Sequence, residues 1–254
     1  QTGCVPGRFI GENIMLYLET YERMQETGES GAFLFLDFEK AFDRVDRDFM
    51  WSSMKEMNFG PNFISYCQTL YAGSCSRVVI NGHQTSNVQT ETGVRQGCPI
   101  AALLYLLACE PMASLFRKDP NFQGMSIPAV DGFPPGRLCI SQYCDDTLIY
   151  CRNLSDVSRA ETNLQLYEIA SGQKINYSKS PALFIKLSPP DSCVFATLED
   201  DDSQRLLGLN VGVNLNYGDE WNNKKESLLS LFQFYSKLKF AQRGRIVLAR
   251  TYTI

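Results

Sequence analysis

Apolar residues recur along the first third of the chain with two different periods. Ile10, Ile14, Tyr17, Leu18, Tyr21 and Met24 follow helical spacing and Gly28 comes after them as a natural stop, so residues 11 to 27 are expected to form an amphipathic helix. Ala32-Phe33-Leu34-Phe35-Leu36 is instead a short unbroken apolar run that ends in Asp37, the way a buried strand delivers one charged group to a site at its end. Residues 44 to 72 look helical. Arg77-Val78-Val79-Ile80-Asn81-Gly82 predicts a strand entering an Asn-Gly turn, and the polar-alternating return through Val88 completes a hairpin. An apolar helix follows from Ile100 to about Leu115, with Pro99 suited to its first turn.

In the second half, Pro128, Gly132, Pro134, Pro135 and Gly136 mark residues 128 to 137 as loop. Leu138 to Tyr143 reads as a strand, Cys144-Asp145-Asp146 as a turn and Thr147 to Tyr150 as the returning strand. Next come a helix over 155 to 171, a strand from Pro181 to Leu187, a loop from Pro189 to Asp202 and a short strand from Leu206 to Val211. Two helices close the chain. Helices packed on an antiparallel sheet make an α+β fold, with no internal repeat and no low-complexity stretch.

With 254 residues and 44% apolar content, the chain can bury a real core in one large domain or two modest ones. Its longest apolar run, Ile100 to Cys109, stops at Glu110 and Pro111, far short of the roughly 20 residues a bilayer span needs, so no membrane segment is expected. The nine cysteines lack a CxxC pair and His83 is the only histidine, which spells out neither a zinc site nor a disulfide framework and implies a reducing, intracellular setting. The sequence opens at Gln1 without a Met or a signal-peptide pattern, as a piece of a longer protein would. A net charge of −4 is unfavourable for nucleic acid, but it is unevenly spread. From Trp221 onward the ionised residues are Lys224, Lys225, Lys237, Lys239, Arg243, Arg245 and Arg250 against Glu226 alone. That end is a basic module for contacting nucleic acid, unless it is simply a solvated helical face.

The candidate chemistry lies in carboxylates. Tyr143-Cys144-Asp145-Asp146 falls between two strand-like runs, so a tight turn holds two adjacent carboxylates at its tip. Asp-Asp is also ordinary turn composition. Like charges packed together raise one another's pKa and stay ionised only beside something positive, for which a divalent cation is the candidate. Asp37, at the end of another buried strand, supplies a third carboxylate. Oxygen ligands suit Mg²⁺, and no Cys/His set here suits Zn²⁺.

Leu36-Asp37-Phe38-Glu39-Lys40-Ala41-Phe42-Asp43 and the Tyr143 to Asp146 turn resemble the two aspartate motifs of reverse transcriptases, most closely those of the non-LTR (LINE-type) retrotransposons. Gln1 to Arg8, with Glu12-Asn13-Ile14 after it, looks like that family's "GF-x-PGR" fingers motif, and Gly93 to Pro99 is similar to "GVRQGCP". Gly172 to Ser180 is like "GLKIN-xx-KS", and Leu206 to Gly212 is like the "YLGI-x-IG" hairpin. The resemblance covers nearly the whole chain and implies a palm-type polymerase fold: an antiparallel palm sheet packed by helices, with partial fingers and a partial thumb. In those terms residues 1–31 would be partial fingers, 32–50 palm, 51–97 a fingers/palm insertion with its β-hairpin, 98–215 palm and 216–254 the start of the thumb. The implied activity is RNA-directed DNA synthesis on a DNA primer, with an RNA template, dNTPs and two Mg²⁺ ions.

The same resemblance implies roles residue by residue. Asp37, Asp145 and Asp146 would bind metal, with the Phe38 carbonyl a further ligand. Phe42 would lie under the incoming sugar and crowd a 2′-hydroxyl, or else simply pack in the core. Gln96 and Gly97 would floor the nucleotide and template base beside Tyr143, and Arg95 would touch a phosphate or pair with a surface carboxylate. Lys179, with Lys174 as the alternative, would be the general acid that protonates pyrophosphate, solvation being the plain alternative. Leu207 and Gly208 would position the primer. Cys144 stands where the family carries Ala, and Ala101-Ala102 where it carries Ser-Pro; both changes are small in volume. The basic residues that grip the triphosphate would precede Gln1, so the chain by itself is expected to be inactive or nearly so. Palm-type RNA-dependent RNA polymerases share the aspartate layout but carry an aspartate where Phe42 stands; Asp43, one step on, is expected to cap or pack at the following helix. The rival from another class is a domesticated remnant that binds nucleic acid without polymerising.

Overall fold

A computed structural model of the chain describes residues 1–129, 132, 134–199, 202–213 and 217–236. Two compact units divide between Glu199 and Asp200. In the first, helix α1 (Gly11–Thr27) has the expected bounds, and it ends where Gly28, at a φ of 75°, turns its N–H back to the Met24 carbonyl. Strand β1 (Gly31–Leu36) follows. The helical stretch expected over 44 to 72 is in fact three pieces: α2 (Ala41–Arg44), α3 (Arg47–Glu56) and α4 (Pro61–Tyr71). The breaks have local causes. The Asp46 carboxylate caps α3 by accepting the Phe49 N–H at 2.7 Å, and Pro61 starts α4 where its missing N–H costs nothing.

The hairpin region is a two-tier ribbon. β2 (Cys75–Ser76) pairs with β5 (Val88–Gln89), and between them β3 (Val79–Ile80) pairs with β4 (His83–Gln84). Asn81 and Gly82 at its tip both take positive φ, 50° and 82°, as a type I′ turn requires. Helix α5 (Ala101–Lys118) begins two residues after Pro99 and runs through Pro111 rather than stopping near Leu115. Part of the stretch expected as loop is strand, because β7 (Gly136–Leu138) pairs with β6 (Met125–Ile127). Then come β8 (Ile140–Tyr143), β9 (Asp146–Cys151), α6 (Leu154–Ser171) and β10 (Pro181–Ile185). A short β11 (Ala196–Thr197), parallel to β10, lies inside the second expected loop.

The main sheet has the order β11-β10-β1-β9-β8 and is antiparallel except at its β11 edge. All six residues of β1 are buried because both faces of this central strand are covered. Phe33 and Phe35 meet the ring of Tyr17 from α1, at 5.0 and 6.0 Å between centroids. On the opposite face Ala32, Leu34 and Leu36 join a core with Met50, Met54, Leu104, Ala108 and Leu164 from α3, α5 and α6. Burying each such large side chain stabilises the fold by roughly 2 kcal/mol.

The second unit contains the hairpin β12 (Gln204–Leu206) and β13 (Leu209–Val211), then α7 (Tyr217–Ser236). The single strand expected from Leu206 to Val211 is therefore the end of β12, a turn and β13, with Leu207 and Gly208 of the turn at φ of 49° and 87°. The Lys224 ammonium of α7 donates to the Gly208 carbonyl. The second basic helix, with Lys237, Lys239, Arg243, Arg245 and Arg250, falls outside the described residues. No described helix is long and apolar enough to cross a membrane.

One buried charge ties α5 to α6. Asp119 accepts from Arg159 Nε at 2.5 Å and Asn163 Nδ2 at 2.8 Å. Burial alone would raise this carboxyl, but those donors hold it down at about 2, below its ordinary 3.8. A depressed value means the stabilisation is complete above pH ~4 and is lost as pH falls toward ~2. Replacing Asp119 with Ala is expected to cost about 2 kcal/mol at neutral pH, because Asn163 is left buried without its acceptor. In chemical denaturation followed by circular dichroism, the gap between wild type and variant should close between pH 4 and 2.

Candidate active site

Strand register brings the three aspartates to one end of the sheet. Leu36 of β1 lies opposite Thr147 of β9, so the next step along both strands sets Asp37 opposite Asp146. Tyr143 of β8 pairs with Asp146, which leaves Cys144 and Asp145 as a two-residue hairpin loop. Cys144 takes a φ of 55°, a backbone region where such loops favour glycine. Partial burial, and then the charges of Asp145 and Asp37, push the Asp146 carboxyl above the usual carboxylate range. The site is thus short of positive charge, and its donors are all oxygen, a set that suits a hard divalent cation. Among the described residues no three His, Cys, Asp or Glu side chains stand close enough to hold a metal ion as they are. Asp37 and Asp146 both keep access to water at this end of the sheet.

A rider segment steadies Asp37. Its N–H donates to the buried Ser180 hydroxyl at 2.9 Å, and its carbonyl accepts from Asn176 N–H at 2.8 Å. Glu39 N–H reaches the Lys174 carbonyl at 2.8 Å, so Phe38 faces Ile175 in an antiparallel bridge whose bonds are made by the flanking residues. The Phe38 carbonyl is left out of that pairing. Lys174 lies 3.9 Å from Glu39, which also binds Arg44 at 3.0 Å, whereas Lys179 is exposed and has no ion pair among the described residues.

The loop of residues 93 to 97 lies against α2. Val94 N–H donates to the Phe42 carbonyl at 2.7 Å and Gly93 N–H to the Val45 carbonyl at 2.8 Å. A side chain at Gly93 would place its Cβ 2.5 Å from the Asp43 carbonyl oxygen, at a φ of 76°, so only glycine fits. Gln96 Nε2 donates to Asp43 Oδ1 at 3.3 Å. Asp43 therefore does not cap the following helix; Asp46 does. Arg95 and Gly97 are exposed, Gly97 at a φ of 83°, and Tyr143 is half-buried beside the hairpin loop. Leu207 and Gly208 form the tip of the hairpin in the second unit.

Two functional supports escaped sequence reasoning. Gln1 holds the strained turn with one amide: its Oε1 accepts from Cys144 N–H at 2.9 Å and its Nε2 donates to the Cys144 carbonyl at 3.3 Å. Thr2 N–H donates to the Gln142 carbonyl at 2.9 Å, and a Cβ at Gly3 would lie 2.5 Å from Cys144 N. Arg47 grips the loop before Arg95 through the carbonyls of Thr90, Thr92 and Gly93, at 2.7, 3.1 and 3.0 Å, and stacks over Tyr71 at 5.1 Å. A signal for Arg47 existed, since a cation in the first turn of a helix opposes the helix dipole and needs another reason to be there.

An antiparallel sheet with an aspartate after its central strand and a pair on the neighbouring hairpin, packed by helices, defines a palm-type polymerase fold. Residues 1–211 match the sequence pattern of one family throughout, and the chain belongs to it: reverse transcriptase (RNA-dependent DNA polymerase). The chain is 39% identical over 183 residues to the "Transposon TX1 uncharacterized 149 kDa protein" of Xenopus laevis, a match of 72% of this chain and 14% of that protein. It is 20% identical over 202 residues to the Pol polyprotein of the type-1 retrotransposable element R2 of Popillia japonica, covering 78% of this chain and 32% of the polyprotein. These relatives bear out the kinship with non-LTR retrotransposon enzymes. The chain spans less than a third of the length of either relative. Among solved structures, telomerase from Candida tropicalis with a fragment of telomeric RNA superposes over 80% of this chain and 31% of its own, with a TM-score of 0.53 at 12% identity. The apo form truncated from its C-terminal domain gives 0.53 at 13% identity over 80% of this chain and 38% of its own. These confirm the fold.

Arg47→Met is expected to release the loop while the core stays folded. Losing bonds from a charged donor to several carbonyls costs about 2 kcal/mol. Amide hydrogen exchange at Gly93 and Val94 should speed up by roughly tenfold or more, and Arg47→Lys should not restore it because a single ammonium cannot reproduce the planar fork. Unchanged exchange in the Met variant would remove Arg47 from this role.

Proposed function

We propose that the chain is the polymerase core of a reverse transcriptase that copies an RNA template by adding deoxynucleotides to the 3′-hydroxyl of a DNA primer. The observation that carries this reading is the placing of Asp37, Asp145 and Asp146 at one sheet end by strand register, with Asp146 raised by partial burial and then by the charges of Asp145 and Asp37. Asp37, Asp145, Asp146 and the Phe38 carbonyl, which the bridge to Ile175 does not use, would hold two Mg²⁺ ions. Bound there, the ions would activate the primer hydroxyl and stabilise the leaving pyrophosphate. The protein's own groups position the reactants. Phe42 lies on α2, where its ring would pass beneath the incoming sugar and leave no room for a 2′-hydroxyl. Gln96, fixed by Asp43, and Gly97 would floor the nucleotide and template base, beside Tyr143 and with Arg95 on a phosphate. Lys179 would give pyrophosphate its proton; Glu39 engages Lys174 at 3.9 Å, whereas Lys179 has no ion pair among the described residues, which supports the choice of Lys179.

In this reading 1–31 belong to the fingers, 32–50 and 98–215 to the palm, 51–97 to an insertion between them and 216–254 to the thumb. The Leu207-Gly208 tip would position the primer, and the basic residues after Trp221 would follow the duplex backbone. Asp145→Asn in the full-length protein should lower dNTP-dependent extension of a DNA primer on an RNA template by on the order of a thousandfold or more, because it keeps volume and removes charge from the ion site. Primer-template binding, measured by fluorescence anisotropy, should change less than about threefold. Extension within a few-fold of wild type would sink the assignment.

A further inference from the structure

The ring of Phe42 stacks on Tyr105 of α5, with 4.3 Å between centroids and 16° between planes. Tyr105 is fully buried, so nothing behind it yields easily, while Phe42 is only half-buried and keeps part of its ring toward solvent. Gln173, 2% exposed, completes the arrangement. The two hydrogens of its Nε2 have separate destinations: the Tyr105 hydroxyl at 3.1 Å and the Ala41 carbonyl at 3.2 Å. Its Oε1 accepts from the Tyr167 hydroxyl, which also lies 3.0 Å from the Ala108 carbonyl. One buried amide therefore fixes both the plate behind the Phe42 ring and the backbone residue just before it. The carbonyl of Phe42 itself is held by Val94 N–H at 2.7 Å.

We propose that Gln173 and Tyr105 are specificity-determining positioning residues that set discrimination between deoxyribo- and ribonucleotides by holding the Phe42 ring in place. The inference rests on reading Phe42 as the ring beneath the incoming sugar. A 2′-hydroxyl adds one heavy atom, and a ring free to retreat by about an ångström would admit it; discrimination of this kind depends on rigidity as much as on bulk. Stacking alone leaves the plate free to slide. The paired bonds from Gln173 remove that freedom, because moving Tyr105 or the Ala41 backbone would leave a buried polar group without its partner.

The test compares catalytic efficiencies for a ribonucleotide and the matching deoxyribonucleotide in the full-length protein, for Phe42→Ala, Tyr105→Leu, Gln173→Leu and Gln173→Met, each checked for native melting. Gln173→Met fills similar volume without donors and stands in if Gln173→Leu does not fold. Phe42→Ala should raise relative ribonucleotide use most. Tyr105→Leu and the Gln173 variants should raise it by about tenfold, a typical size for loosening one contact that discriminates. Combined with Phe42→Ala, they should add nothing further to the ratio, since the ring they hold is gone. If Phe42→Ala shifts the ratio but folded Tyr105 and Gln173 variants lose overall extension with the ratio intact, this inference is overturned and the reading of Phe42 stands. If Phe42→Ala leaves the ratio unmoved, the reading fails first and takes the inference with it.

Discussion

Three carboxylates converge at the open end of one sheet, and their mutual repulsion is the constraint around which the first unit is built. Repulsion alone would push such groups outward and loosen the strands that carry them. The opposing force is the burial of β1 on both faces, which anchors the strand ending in Asp37. A strand anchored so firmly can present an unfavourable charge at its tip. Burial first, and then the charges of Asp145 and Asp37, raise the Asp146 carboxyl, and in the function proposed above a divalent cation would offset that charge.

The supports around this end share a logic. Three parts of this end are held by polar groups from far along the sequence. The positive φ of Cys144 is clamped by Gln1, 143 residues away. The Asp37 N–H is taken by Ser180, also 143 residues away. Arg47 gathers carbonyls up to 46 residues distant. The motifs near the termini of the first unit thus act at the centre of the site, which accounts for their chemistry being amide, hydroxyl and glycine rather than further charge.

Local signals explain what the sequence made legible. Helix α1 was readable because its apolar period and Gly28 agree, and β1 because a doubly buried strand has no alternation to confuse it. The hairpin tip was readable from Asn81-Gly82. The breaks within 44 to 72 were not, since Asp46 and Pro61 sit in a background whose residues all tolerate helix. β11 was hidden because two residues paired in parallel leave no period to detect, and the hairpin around Leu207-Gly208 was legible from its motif but not from the period of its short apolar run. At the site, the aspartates were found through turn and strand-end positions. Tyr105 left no signal and Gln1 and Gln173 only their places in motifs, because their work depends on contacts that only the fold creates, while Arg47 showed only as a cation set against the helix dipole; of the two roles expected of Asp43, the cap of α3 belongs to Asp46, and Asp43 instead accepts from Gln96.

In the proposed function, the three carboxylates at the sheet end would hold a divalent cation that offsets their charge. The direct measurement is thermal melting of this chain and of its Asp145→Asn form, with and without millimolar Mg²⁺. Without metal the variant should melt higher than wild type, by about 3 °C for each kcal/mol of repulsion removed. Mg²⁺ should raise the wild type clearly and the variant little, because a ligand stabilises only the state that binds it. A variant that melts lower than wild type without metal, together with Mg²⁺ shifts that are equal or absent in both, would contradict the account.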